Sequence, residues 1–373
     1  MLTVTLGRTG ADVTALGMGG MRFPKEMSDR DAADVVRFAN ECGVNYFDTA
    51  PGYCDDRSEA IYGKALSRMP TDNWRIATKG FNTKTGDEIA GAIENSLRKL
   101  KVDCIDFYFL WSVLTMKQYE MAKMKGRALE GILAAKKRGL IKHLAVSTHV
   151  TSDGIRTIVD DDIFDVIMAP YNVLNYGHRD EGLRYAKSRG LGTVAMNPLH
   201  GGVISEYRNV ITVFGEGTDP VAEAMRFCLA SPVIDVTLSG MHTRSHIDEH
   251  AALWKNVPEK ISLQEQDEKN KALKASFSSL CTSCGYCVKS CPQAIFIPAY
   301  MEAYNSYLLT KQETAAASKL AWHHKFGLLV DRQERAAECI QCGACEKTCT
   351  QYLPIIDRLA MLTPHEKAWE AKK

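Results

Sequence analysis

Net charge is nearly absent from this sequence: 46 Lys and Arg stand against 45 Asp and Glu over 373 residues, a net of +1. Such a balance supplies no broad field for phosphate backbones or acidic lipid, which excludes a general nucleic-acid binder and a membrane-surface protein. No stretch approaches the roughly 18 apolar residues of a membrane span. The opening MLTVTLGRTGADV lacks a basic start followed by an apolar core, and the expectation is a soluble cytoplasmic protein. The glycine fingerprint G-x-G-x-x-G is missing too. The first glycine cluster reads Gly17-Met18-Gly19-Gly20-Met21, which argues against an open doubly wound sheet. Disorder is excluded as the main state, because 45% hydrophobic and 24% charged residues are ordinary globular composition. Cysteine is abundant: eight of the 12 lie between positions 281 and 349.

Short apolar, β-rich segments recur along the first 255 or so residues: LGMGGM, VNYFDTA, WRIATKG, IDFYFLW, HLAVST, FDVIMAPYN, GTVAMNPL and DVTLSG. Helical spacing separates most of them, over 28–39, 58–66, 87–100, 127–138, 180–189, 219–230 and 245–254. Ser28 with Asp31 opens the first of these helices as a capping-box-like start. Eight alternations of strand and helix are the pattern of parallel βα units, and eight permits closure into a barrel. Ahead of the first strand, a turn at Gly7 and Gly10 between VTL and VTAL reads as a hairpin placed to plug the barrel's lower end.

The tail carries Cys281, Cys284, Cys287 and Cys291 followed by Pro292, in the pattern C-x2-C-x2-C-x3-C-P; Cys339, Cys342, Cys345 and Cys349 repeat the spacing, with Thr350 in place of the proline. This is the bacterial two-cluster ferredoxin run, in which the fourth cysteine of each motif ligates the other cluster. Cys281, Cys284, Cys287 and Cys349 would thus hold one 4Fe-4S cluster, and Cys339, Cys342, Cys345 and Cys291 the second. A disulfide framework suits another compartment, and four-cysteine zinc sites have no need of such a run. Between the motifs, AYMEAYNSYLL and AAASKLAWHHKF predict helices. The remaining cysteines, Cys42, Cys54, Cys104 and Cys228, are scattered and read as buried structural thiols, with Cys54, next to Tyr53, singled out as the exception. The fold class expected is α/β, a (β/α)8 TIM barrel over 1–257, a linker helix over 258–278, and a small α-helical ferredoxin-like two-cluster domain over 279–373.

In such a barrel, catalytic groups belong at the carboxyl ends of the strands. The second strand ends in Asp48, with Tyr53 just beyond, and the third in Lys79. A phenol near pKa 10 is a poor donor at neutral pH, and a nearby ammonium lowers it. Asp48 would hold Lys79 charged, leaving Tyr53 as general acid toward a carbonyl oxygen. The loops after strands seven and eight, Asn197-Pro198-Leu199-His200-Gly201-Gly202 and Gly240-Met241-His242-Thr243-Arg244, stand where barrels bind phosphate. Gly201 and Gly240 permit close backbone approach there, Leu199 is a further candidate contact to the cofactor, and Arg244 would meet a phosphate.

FDTAPGYCDDRSEAIYGKAL, ATKG and SLRKLKVDCIDFYFLW resemble the aldo-keto reductase family over residues 1 to about 255, and the tail makes the whole chain resemble its ferredoxin-tailed members. The resemblance implies a barrel that reduces carbonyls with NADPH through an Asp, Tyr, Lys, His tetrad, matched here by Asp48, Tyr53 and Lys79. Trp111 stands where the histidine is expected; an indole has one NH donor and carries no charge. His149 and His200 are the candidates to take over the missing donor's role. The resemblance also implies Ser147 and Asn172 as carboxamide contacts. It places Asn197 where a Lys is usual, and His242, His246 and His250 where other polar residues are usual.

Three functions remain open from sequence. One is an NAD(P)H-linked reductase of a small carbonyl compound or activated double bond, with the clusters relaying electrons. A cluster moves one electron and a hydride two, so this reading needs a converter. The second puts FMN in the same phosphate corner, fed by a ferredoxin or another redox partner. The third is a non-catalytic electron-transfer or redox-sensing subunit, against which the retained trio argues.

Overall fold

The computed structural model describes residues 2–209, 211, 214–215, 217–254, 259–276, 279–281, 283, 285–349 and 351–371. Strands β1 (Thr3–Thr5) and β2 (Asp12–Thr14) pair antiparallel. Eight parallel strands follow: β3 (Leu16–Gly19), β4 (Tyr46–Asp48), β5 (Arg75–Phe81), β6 (Ile105–Val113), β7 (Ile141–Thr148), β8 (Val166–Pro170), β9 (Gly192–Met196) and β10 (Val236–Ser239). They close in the order β10-β3-β4-β5-β6-β7-β8-β9. The fold is the expected α/β barrel.

The strands are apolar on both faces because both faces are covered. Along β6, Phe107 and Phe109 point into the barrel with Tyr46, Ala77, Met168 and Val194. Tyr108 and Leu110, between and after them, pack outward against the helices. The hairpin closes the lower end: Leu6 and Val13 belong to the same interior cluster. Gly7 lies so close to the start of β9 that an added Cβ would sit 2.1 Å from the Gly192 nitrogen.

The helix Asp29–Glu41 begins at Ser28, whose side chain accepts from the Asp31 amide, and Ser58–Leu66 has the predicted bounds. Helices over Met116–Lys123 and Ser152–Asp160 were not foreseen. The polar segment after the barrel forms the helix Leu263–Ser276. It is tied to the barrel by Arg184 to Asp267 at 2.6 Å and by the Tyr176 hydroxyl to the Asn270 carbonyl at 3.3 Å. Both ends of the expected linker, 257–258 and 278, lie outside the described residues. Beyond it, helices Ile297–Thr310, Glu313–Phe326 and Ile355–Glu370 build a second core around Tyr300, Leu320, Leu359 and Leu362. Among the described residues no helix is long and apolar enough to cross a membrane.

Candidate active site and cluster sites

Asp48 closes β4 and Lys79 lies in β5, and the two side chains, 5% and 1% exposed, form a buried ion pair. Lys79 Nζ donates to both Asp48 carboxylate oxygens at 2.6 Å and to the Thr49 carbonyl at 2.8 Å. Burial pushes the Asp48 carboxyl up and the Lys79 ammonium down, and each charge opposes the other's shift.

Tyr53 sits in the tight turn after β4, where Gly52, Cys54, Asp55 and Asp56 all have positive φ. The Gly52 amide donates to Asp56 Oδ1 at 3.0 Å, which pins the turn. Lys79 Nζ lies 5.4 Å from the Tyr53 ring centre, and Trp111 meets that ring edge-on at 5.5 Å. The phenol departs from expectation in one respect: its pKa is raised, by burial first and then by Asp48. Lys79 Nζ has its three N–H groups on the Asp48 carboxylate and the Thr49 carbonyl, so it donates none to the phenol, and the adjacent Asp48 charge offsets the ammonium there.

Trp111 follows a register shift between β6 and β7, with Ser112 at φ 60°. The Asn82 side chain donates to the Trp111 and Ser112 carbonyls at 2.7 and 2.8 Å, and Phe81 stacks on the indole at 4.3 Å. Bulges of this kind re-aim side chains beside sites.

A cavity of about 570 Å³ opens at the carboxyl ends of the strands. Its lining includes Asp48, Tyr53, Asn197, Leu199, Gly201 and Gly240, together with His242, His246 and His250. Gly201 and Gly202 leave open space where a Cβ would project, and Gly240 admits the Arg22 side chain, which an added Cβ would meet at 2.7 Å. Ser147, Asn172, Lys79, Trp111 and Arg244 are not among the lining residues. Ser147 is buried opposite Met168 of β8. The Asn172 amide donates to the Asn197 carbonyl at 2.8 Å and accepts from the Leu174 amide at 2.9 Å. Arg244 lies over the Phe38 ring at 4.5 Å. Arg22, Glu206 and Glu249, which do line the cavity, were missed. Arg22 was within reach of the rule that strand ends carry function, since it follows β3 by three positions.

His149 and His200 do not face that cavity's trio. His149 packs against Trp322 of the tail at 5.6 Å, and burial with Arg179 and Lys319 holds its pKa down at about 3. His200 is likewise pulled to about 3, by burial and then Lys319. Of the scattered thiols, Cys54 and Cys228 donate to the Gly20 and Tyr171 carbonyls, and burial raises all four.

In the tail, Cys291, Cys339, Cys342 and Cys345 line one small void with Ile295, Ile297 and Leu359. Cys281, Cys287 and Cys349 line another with Pro298, Met301 and Leu353. Cys291 therefore sits with the first three thiols of the second run, and Cys349 with Cys281 and Cys287 of the first. Cys284, like Thr350, lies outside the described residues. Among those described, no three His, Cys, Asp or Glu side chains gather closely enough to hold a single metal ion; the thiols instead stand around the two voids.

Known proteins bear on this geometry. The Aldo/keto reductase family matches residues 15–271, and a 4Fe-4S dicluster domain matches residues 280–353. The chain is 27% identical over 222 residues to the NADH-specific methylglyoxal reductase of Escherichia coli, covering 54% of this chain and 66% of that protein. It is 25% identical over 281 residues to L-galactose dehydrogenase of Arabidopsis thaliana, covering 66% and 86% respectively. The holo form of an aldo-keto reductase from Bacillus halodurans superposes with a TM-score of 0.61 at 20% identity, covering 73% of this chain and 96% of that one. A Klebsiella pneumoniae aldo-keto reductase in complex with NADPH gives 0.57, also at 20% identity, covering 73% and 96%. At that identity the two solved structures speak for the fold.

Proposed function

This chain belongs to the aldo/keto reductase family and carries a 4Fe-4S dicluster domain, and we propose that it reduces a small carbonyl compound, or an activated double bond, with Tyr53 as proton donor and NAD(P)H as hydride source, the two 4Fe-4S clusters relaying single electrons to or from a redox partner and exchanging with the hydride site only through a one-to-two-electron converter such as a flavin. The observation that carries this reading is Tyr53 on the wall of the 570 Å³ cavity, directly in front of the buried Asp48–Lys79 pair. When bound, the nicotinamide supplies a hydride and the clusters supply single electrons.

The rest is the work of this chain's residues. Asp48 and Lys79 fix the floor behind Tyr53. Trp111 packs edge-on against the phenol and sets its orientation. Burial and Asp48 keep the proton on Tyr53 Oη until an acceptor oxygen arrives. Asn197, Leu199, Gly201 and Gly240 form the corner for the nucleotide, with Gly201 and Gly202 offering bare backbone there. Cys281, Cys284, Cys287 and Cys349 are assigned to one cluster and Cys291, Cys339, Cys342 and Cys345 to the other, on apolar walls that suit them. The names of the curated relatives, a methylglyoxal reductase and an L-galactose dehydrogenase, bring small carbonyls and sugars into the substrate class.

One observation favours the FMN alternative: FMN brings one phosphate where NADPH brings three, and Arg244 is over Phe38 rather than in the cavity, where Glu206 and Glu249 stand alongside Arg22 and Arg208. An anaerobic preparation assayed for iron, sulfide, extracted flavin and NADPH affinity separates the two. Bound flavin without NADPH binding ends the nicotinamide reading. Tyr53→Phe is expected to lower kcat by about 100- to 10,000-fold, the range of a general acid, with NADPH affinity retained; unchanged turnover removes Tyr53 from the mechanism.

A further inference from the structure

The segment leaving β9 has an unusual backbone. Asn197, His200, Gly201 and Gly202 all have positive φ, at 60°, 53°, 76° and 103°. Two of the four are not glycine, so the conformation carries a cost that surrounding contacts must offset. The same segment lines the main cavity through Asn197, Leu199, Gly201 and Gly202. From the barrel side, Asn172 holds the Asn197 carbonyl, and Arg22 Nη2 donates to the Gly201 carbonyl at 3.2 Å.

The tail holds it from the other side. His200 is 1% exposed, and both its ring nitrogens face the helix Ile297–Thr310: Nε2 lies 3.4 Å from Ser306 Oγ, and Nδ1 3.7 Å from Glu302 Oε1. Glu302 is itself buried. Lys319 Nζ approaches it at 2.8 Å, His323 Nε2 at 3.5 Å and His178 Nε2 at 3.7 Å, with the Arg179 charge nearby. Burial alone would raise this carboxyl, but Lys319 and the histidines hold it well below the usual carboxylate range. It is a fixed anion whose counter-ion, Lys319, is already in place. The helix that carries Glu302 also walls both thiol-lined voids, through Ile297 on one and Pro298 and Met301 on the other.

Resting on the reading of the main cavity as the nucleotide site, we propose that Glu302 is a positioning residue for the segment 197–202, acting through His200, and that nucleotide binding and the cluster domain are thereby energetically coupled. Coupling between two sites is reciprocal. The tail sets the affinity of the barrel for nucleotide, and nucleotide alters the surroundings of the clusters.

The test uses the anaerobically purified full chain, with iron content measured on every sample and NADPH as the probe. Glu302→Gln keeps the volume and removes the anion. It is expected to weaken NADPH binding about tenfold, within the usual range of coupling between two sites, while kcat at saturating NADPH and iron content stay within about twofold. The visible circular dichroism of the clusters is expected to change when NADPH is added to the wild type and not when it is added to the variant. His200→Gln, made from the barrel side, carries the same expectation and decides the matter should Glu302→Gln lose its iron. Glu366→Gln removes a carboxylate that binds Tyr300, His324 and the Ala336 amide inside the tail, and is expected to leave NADPH affinity unchanged. Wild-type-like NADPH affinity in iron-replete Glu302→Gln or His200→Gln overturns the proposal, and so does an equal loss in Glu366→Gln. A wild type that does not bind NADPH overturns instead the nucleotide reading beneath it.

Discussion

Replacing Lys79 by methionine strips the Asp48 carboxylate of its counter-ion at a position where both side chains are almost fully enclosed. Removing one partner of such a pair costs about 3–5 kcal/mol, because the remaining charge is neither solvated nor paired. For a barrel of this size each kcal/mol is worth about 2–4 °C in Tm, so Lys79→Met should melt about 10 °C below the wild type near neutral pH. The deficit is expected to shrink on acidification. Burial already pushes the Asp48 carboxyl upward. Without Lys79 its folded pKa rises further above the unfolded value, so the penalty is full above the folded pKa and fades as protonation neutralises the group. Asp48→Asn combined with Lys79→Met removes both charges and should recover more than half of the lost stability, since replacing a whole buried pair is nearly neutral. Turnover should stay low in both variants. Thermal melts at several pH values, with NADPH-dependent carbonyl reduction on the same samples, read all four outcomes. The reasoning is refuted if Lys79→Met melts within 2 °C of the wild type, or if the double variant is no more stable than the single one.

Trp111→His places an ionisable donor on β6 beside Tyr53, and kcat for a small aldehyde is expected to rise at least about tenfold, a fraction of what one oxyanion donor supplies; an unchanged rate shows that other groups already hold the oxygen. Iron analysis of paired substitutions tests how the thiols are shared. Cys281→Ala with Cys349→Ala should remove one cluster's iron, and Cys281→Ala with Cys291→Ala both clusters' iron; the opposite pattern excludes the crossed assignment. Lys260, whose ammonium donates to the Leu229 carbonyl, is pulled by burial from 10.5 to about 8. The unfolded chain keeps that proton to higher pH, so Tm should gain a rising component from about pH 8 to 10.5 that Lys260→Met abolishes; identical pH profiles would contradict it.

The barrel was legible because buried parallel strands leave short apolar runs at regular intervals, and helices such as Ser58–Leu66 carry their own boundaries. Asp48, Tyr53 and Lys79 were legible because strand ends are where barrels keep their chemistry. The helix Met116–Lys123 was overlooked although its cap was readable: Thr115 accepts from the Gln118 amide, and Gln118 reaches back to the Leu114 amide. What sequence could not show depends on long-range packing. His149 and His200 look like rim histidines until the tail covers them. The direction of the Tyr53 shift depends on how deeply the folded chain buries the phenol and on the Asp48 carboxylate beside it. Arg244 stands one position into its helix, and whether it turns toward the cavity or onto Phe38 is settled by a residue about 200 positions earlier in the chain.

The hairpin of β1 and β2 has a kinetic consequence. With Leu6 and Val13 seated in the barrel interior, the cylinder is stoppered at its base, and traffic to Tyr53 uses the upper rim. On the proposed reading the nucleotide and the carbonyl compound both enter by that rim and must be bound there together for hydride transfer, so whichever seats deeper has to arrive first and leave last. Steady-state kinetics should then display an obligatory sequence of reactants, with the spent nucleotide competing directly against the fresh one.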